Sequence, residues 1–219
     1  MKKLLLLSVL LLIFSISFAQ IPGNIGYNNN YDSQKNFGFK GGVNFSNIHG
    51  RDVEDSKIKF GFIGGVFYDF PVNTQFSVQP EVLFSMKGWR FEDNDFDYKY
   101  WGKLSYIEIP ILGKFKLNSI NNVIPIVYFG PCFGFNVSAK YRVEHSYYED
   151  YTDTGTIDYM NVFEFSLVPG VMLEFNDRFV FDFRYSIGLT DIDHFEDEYE
   201  GDYDPVKNSV ISLMLGVKL

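Results

Sequence analysis

FEFSLVPGVMLEFNDRFVFDFRYSIGL, residues 163–189, consists of two alternating runs joined by a tight turn. In the first run Phe163, Phe165, Leu167, Val171, Leu173 and Phe175 alternate with Glu164, Ser166, Val168, Gly170, Met172 and Glu174. Asn176-Asp177 follows, an Asx pair suited to a two-residue hairpin loop. The second run sets Phe179, Phe181, Phe183, Tyr185, Ile187 and Leu189 against Arg178, Asp182, Arg184, Ser186 and Gly188. A period of two sustained this far predicts long strands with one apolar and one polar face. A soluble barrel or sandwich would turn the apolar face inward. Here that face is almost entirely large, and the other carries charges of both signs beside Gly and Ser. The pattern fits an apolar outside and a small polar inside, as in a transmembrane β-barrel.

Composition agrees. The chain has 219 residues with 19% aromatics, among them 24 Phe and 15 Tyr, which suits aromatic girdles at membrane interfaces. Bulk hydropathy is close to neutral because alternation hides the membrane signal. The single cysteine, Cys132, excludes an intramolecular disulfide framework and any multi-Cys metal site, and reads as a small buried or lipid-facing residue. Met1-Lys2-Lys3, the apolar run to Phe18 and Ser17-Phe18-Ala19 read as a secretory leader with a small-x-small cleavage site. The apolar run is short for a spanning helix, which needs about 20 residues. Cleavage is expected between Ala19 and Gln20. Removing Lys2 and Lys3 takes the formal charge from −9 to −11, and no basic stripe remains for nucleic acid.

The remaining chain repeats the alternating pattern. Residues 20–36 are Gly- and Asn-rich without periodicity and are expected to form a flexible mature N-terminus; residues 37–219 are expected to form one barrel domain. Strand one points Phe37, Phe39, Val43 and Phe45 one way and Lys40, Asn44 and Ser46 the other; strand two sets Phe60, Phe62, Val66 and Tyr68 against Lys59, Gly61, Gly65 and Asp69. Strand three opposes Phe76, Val78, Val82, Phe84 and Met86 to Gln79, Glu81, Ser85 and Lys87; strand four opposes Ile107, Ile109, Ile111 and Phe115 to Glu108, Lys114 and Lys116. Strand five, from about 124 to 143, sets Phe129, Phe133, Phe135, Val137 and Tyr141 against Gly130, Gly134, Asn136, Ser138 and Lys140. The hairpin at 163–189 supplies strands six and seven, and Ile211, Leu213, Leu215, Val217 and Leu219 mark strand eight. Pro110, Pro131 and Pro169 fall inside strands, so each requires a bulge or a gap in its ladder. Connections after strands one, three, five and seven are long and polar; those after two, four and six are short. This alternation, with an even strand number, predicts an all-β fold: an eight-stranded antiparallel up-and-down transmembrane β-barrel with both mature termini in the periplasm.

Five segments carry a resemblance: GFKGGVNFSNI (38–48), FSVQPEVLFSMKG (76–88), YIEIPILGKFKL (106–117), YFGPCFGFNVSAK (128–140) and RYSIGLTDI (184–192). In their order and spacing they resemble the PorT-like outer-membrane β-barrel family, over nearly the whole mature chain. The resemblance implies an eight-stranded outer-membrane barrel, usually without an assigned molecular role; one member takes part in protein secretion. A departure is the last residue, Leu219, where such barrels usually end in an aromatic side chain.

Parity also places a lumen charge network: Lys40, Lys59, Glu81, Lys87, Glu108, Lys114, Lys140, Glu164, Asp182 and Arg184, with Asp69, Lys116, Glu174 and Lys218 on the same face. An eight-stranded barrel is just wide enough for side chains to fill, so these charges are expected to pair rather than line an ion path. His49, His145 and His194 fall in loops near carboxylates, but nothing fixes a nucleophile, so no enzyme is expected. The acidic run 191–204 lacks the Gly-bearing spacing of a calcium loop and reads as solvated. No cofactor is called for. The expected partners are outer-membrane lipid and an envelope protein met through Tyr- and acid-rich outer loops; a monomer is expected. A component of an envelope transport or secretion machine is the alternative.

Overall fold

The computed structural model describes residues 36–50, 56–93, 98–145, 151–193 and 205–219. Lys35–Leu219 forms one compact unit. Residues 1–35, with the Ala19–Gln20 cleavage site, lie outside the described residues, as do His194 and most of the acidic run.

Twelve strand segments are present: β1 Phe37–His49, β2 Lys59–Tyr68, β3 Phe70–Pro71, β4 Phe76–Asp93, β5 Tyr98–Lys116, β6 Val123–Phe129, β7 Pro131–His145, β8 Tyr151–Thr156, β9 Phe163–Leu167, β10 Gly170–Phe175, β11 Phe179–Gly188 and β12 Lys207–Lys218. They join end to end into eight staves, because β2–β3, β6–β7 and β8–β9–β10 are each one chain course with local breaks. Every pairing is antiparallel, and the last strand closes on the first, with Phe39 opposite Val217 and Phe45 opposite Ile211. The ring returns through β11 to β9 and β10, so the barrel has no open edge around its wall.

Three of the interruptions occur at prolines. The β4–β5 ladder skips from Pro80↔Ile111 to Leu83↔Glu108, leaving a gap at Pro110. Gly130 separates β6 from β7 just before Pro131, where Gly130 and Val168 exchange backbone hydrogen bonds of 3.3 and 2.8 Å. Val168-Pro169 separates β9 from β10. A proline lacks the N–H that a central ladder needs, and the closed wall absorbs each one as a local interruption. The short turns follow residue chemistry: Asn176 and Asp177 have φ of 50° and 52°, and Asn121 and Asn122 have 49° and 63°. Both pairs thus take the left-handed conformation of a type I′ hairpin, which Asn and Asp tolerate.

The faces sort as the alternation requires. Phe62 and Leu215 are each 69% exposed, and Phe39, Phe84, Phe129, Phe163, Phe181 and Phe183 also point outward. A continuous apolar belt of this kind is the surface of a protein whose solvent is lipid. The opposite face is buried and polar, with Asp182 at 0% and Arg184 at 2% exposure.

Two readings need correction. The long connections after strands three and five, expected as loops over 92–102 and 144–159, are largely strand among the described residues: β4 runs to Asp93, β5 starts at Tyr98, and β7 pairs with β8 through His145↔Tyr151. Their polar composition reflects a sheet continuing past the lipid belt, where neither face needs to be apolar. Lys140 is exposed rather than in the lumen. The β5–β7 register passes from Tyr106↔Asn136 to Ser105↔Ser138, so Val137 is an extra, unopposed residue. This bulge reverses parity, turning Lys140 outward and bringing Ala139 and Tyr141 against the internal apolar cluster.

Candidate functional site: the charged lumen and its loop-end cavity

Alternation projects one residue in two from every stave into the barrel axis, and the interior is filled by those side chains. At mid-height Lys40 from β1 reaches Glu81 from β4 and, at 2.8 Å, Asp182 from β11. Arg184 donates to Glu81 (2.9 Å) and Asp182 (2.5 Å), and the Tyr128 hydroxyl donates to Asp182 (2.5 Å). Gln79 adds a donor to Glu81 at 2.7 Å. Toward the short turns, Lys114 donates to Gln79 (2.7 Å) and pairs with Asp69 (3.1 Å), while Lys218 donates to Glu174 (2.6 Å). Toward the long loops, Lys87 pairs with Glu108 (2.6 Å) and Glu164 (3.1 Å), and Asn208 donates to Glu164 (2.8 Å).

Among the described residues the staves bury six cations, Lys40, Lys59, Lys87, Lys114, Arg184 and Lys218, and six acids, Asp69, Glu81, Glu108, Glu164, Glu174 and Asp182, while a seventh buried acid, Asp193, lies beyond the staves at the loop end. The two sets balance. Low dielectric makes an unpaired charge here costly, and networks with every carboxylate met are what such an interior tolerates. Lys59 is met differently, donating to the Lys87 carbonyl at 3.0 Å. Rings supplement the pairs: Lys40, Lys87 and Arg184 lie over Phe67, Tyr106 and Tyr128 at 5.4, 4.7 and 5.6 Å. Beside the network, Leu112, Ile126, Cys132, Val168, Met172 and Val180 form a dry cluster on one side of the turn end.

Parity had placed Asn44, Gln79 and Ser85 on the polar face with the charges, but had not named Tyr128 or Asn208. Both were recoverable from the same count, since Tyr128 lies two residues from Gly130 and Asn208 an even number from Lys218 in their strands. Asn44 donates to Ser85 (2.9 Å) and accepts from Ser212 (2.7 Å), tying three staves together. Among the described residues no three His, Cys, Asp or Glu side chains converge as a metal site.

The loop end differs. There Ile48, Trp89, Leu104, Tyr106, Ile157 and Ile192 pack as an apolar floor. Above it lies a cavity of about 420 Å³ lined by Ile48, Trp89, Phe91, Tyr98, Tyr100, Tyr159, Met160, Ile192, Asp193 and Val206. The cavity was not foreseen, because its aromatic residues sit in stretches read as loops. Around it β4, β5, β7 and β8 continue as a sheet. Among the described residues, β8 pairs with β7 alone.

No curated protein matches the sequence. Among solved structures of similar fold are Ail, the attachment invasion locus protein of Yersinia pestis (20% identity, TM-score 0.41, 84% of this chain and 97% of that chain), and OprG of Pseudomonas aeruginosa (11%, 0.43, 84% and 95%). The outer membrane enzyme PagL is a third (9%, 0.42, 80% and 99%). A family model described as an outer membrane protein β-barrel domain matches residues 18–194. The chain belongs to the outer membrane protein β-barrel domain family.

Proposed function

We propose that this protein is a monomeric, non-enzymatic outer-membrane barrel that works as an interaction protein, holding a sheet above the membrane for an envelope or surface partner. The observation that carries the reading is the β4–β5–β7–β8 sheet, whose far edge on β8 has no strand partner among the described residues. An unpaired edge presents backbone N–H and C=O groups that a partner strand can continue. The balanced, filled lumen supports the same reading, because it leaves the loop end as the surface for function. In this reading the leader 1–19 is removed, Gln20 begins the mature chain, and both termini are periplasmic, so the loop end faces outward.

The five segments quoted above further suggest a PorT-like member, and the second reading is a component of an envelope transport or secretion machine. A photo-crosslinking residue at Thr154 in β8, used in intact cells and followed by membrane pull-down, separates the two. Capture of a single surface or periplasmic protein supports the interaction reading, and a stable multi-protein envelope complex supports the machine. No crosslink from Thr154, with crosslinks from a control site on another loop, would remove the β8 edge from the account.

A further inference from the structure

We propose that the outward-facing pair Lys103 and Lys140 binds the phosphate of an anionic lipid in the leaflet at the loop end of the barrel. Cross-strand register sets the two side by side: Lys103 on β5 lies directly opposite Lys140 on β7, and both are exposed. Like charges opposed across a ladder repel, so the placement is unfavourable until an anion lies between them. The neighbouring cations are already matched. Lys57 and Arg90 pair with Glu92 at 2.7 and 2.6 Å, and Arg142 pairs with Glu144 at 2.5 Å. Among the described residues Lys103 and Lys140 have no such carboxylate. General basicity does not explain them, because the formal charge of the chain is −9.

Their height on the wall selects the anion. The last apolar row of the belt is Phe84, Ile107 and Phe135, joined across β4, β5 and β7. From Phe115 to Ile107 the outward face of β5 covers about 20 Å of membrane height, at about 3.4 Å a residue and the usual barrel tilt, which is most of an apolar band of about 25 Å. Met86, Ser105 and Ser138 form the next row, and the Lys103–Lys140 pair follows. Arg90, Trp101 and Arg142 come after it, with the Arg142 guanidinium 5.8 Å from the Trp101 ring, at the level where indoles settle in a membrane interface. Glu92 and Glu144 lie one row farther out, on either side of Lys99. Outward from the belt the wall is thus apolar, then cationic, then acidic, and the unmatched cations stand at headgroup depth. A lipid whose acyl chains lie on the belt brings its phosphate to that depth. Two ammonium groups on residues with Cβ atoms about 5 Å apart can hold one phosphate by charge-assisted hydrogen bonds. The pair lies five residues inside the strand ends at Tyr98 and His145, so the ladder fixes its placement.

The test is native mass spectrometry of the mature barrel folded in nonionic detergent and titrated with dioleoyl phosphatidic acid, dioleoyl phosphatidylcholine or inorganic phosphate. One phosphatidic acid should be retained about tenfold more tightly than phosphatidylcholine, and equimolar inorganic phosphate should not displace it. Lys103→Gln combined with Lys140→Gln should lower the affinity for phosphatidic acid to that for phosphatidylcholine. Lys116→Gln combined with Arg178→Gln, which removes the same charge near the turn end, should leave it unchanged. Lys103→Glu gives Lys140 a cross-strand partner, so it should abolish the preference while the unheated protein keeps its fast-migrating folded band. Equal retention of the two lipids by the parent, a preference that survives Lys103→Gln/Lys140→Gln, or an equal loss in the turn-end variant would overturn the site. Displacement by equimolar inorganic phosphate would overturn the lipid as its occupant.

Discussion

Glu81 is the carboxylate on which the interior converges. It accepts from Lys40, Gln79 and Arg184, and at 1% exposure it is out of reach of solvent. Glu81→Gln removes the charge but keeps the volume, leaving Lys40 and Arg184 to share Asp182. Breaking a buried pair in this way is expected to cost about 3–5 kcal/mol. Lys140→Ala, on the exposed face, should stay within about 0.5 kcal/mol. Urea titration of the folded fraction in lipid vesicles checks both. Equal losses would mean that the inward and outward assignments of these two residues are wrong.

At the scale of elements, parity carried the reading as long as the backbone kept count. Phe163 to Phe175 and Phe179 to Leu189 were legible because each large apolar side chain has a small or charged neighbour, and the Asn176-Asp177 turn was legible from its residue types. Pro110, Pro131 and Pro169 told where ladders must break, since a missing N–H is visible in sequence. Val137 was not legible: Asn-Val-Ser-Ala-Lys reads as uninterrupted alternation, and only its cross-strand partners show the extra residue. Stretches 92–102 and 144–159 were misread for a related reason, as sheet beyond the lipid belt loses the apolar face that marks a strand. The cavity at the loop end was lost with them. The bulge itself can be tested by deletion. Removing Val137 should restore simple pairing while leaving Lys140 outward and Tyr141 in the cluster it shares with Trp89 and Tyr100, because plain alternation from Asn136 then gives the same faces as the bulge. The folded fraction of the deletion should therefore stay close to that of Val137→Ala, which keeps the residue count; a deletion that fails to fold would contradict Val137 as the extra residue that switches parity.

For the whole molecule, two surfaces with opposite chemistry are exchanged relative to a soluble domain. Apolar residues such as Phe62 and Leu215 meet the solvent, and a neutralised set of charges fills the inside. A lumen packed by paired side chains leaves no continuous water path, so the purified barrel in planar bilayers should show no large, steady, ohmic conductance. Conductance of porin size would contradict the filled interior.

The inversion itself is tested most directly along β11. Single nitroxide labels at positions 179 through 187 of the bilayer-reconstituted barrel, in a Cys132→Ser background, report accessibility to molecular oxygen and to a water-soluble nickel reagent. Phe179, Phe181, Phe183, Tyr185 and Ile187 should show high oxygen and low nickel accessibility. Val180, Asp182, Arg184 and Ser186, where they tolerate the label, should show little of either, giving a period of two in the oxygen profile alone. Oxygen accessibility confined to the even positions, or nickel accessibility along them, would contradict an apolar face in lipid around a filled, charged lumen.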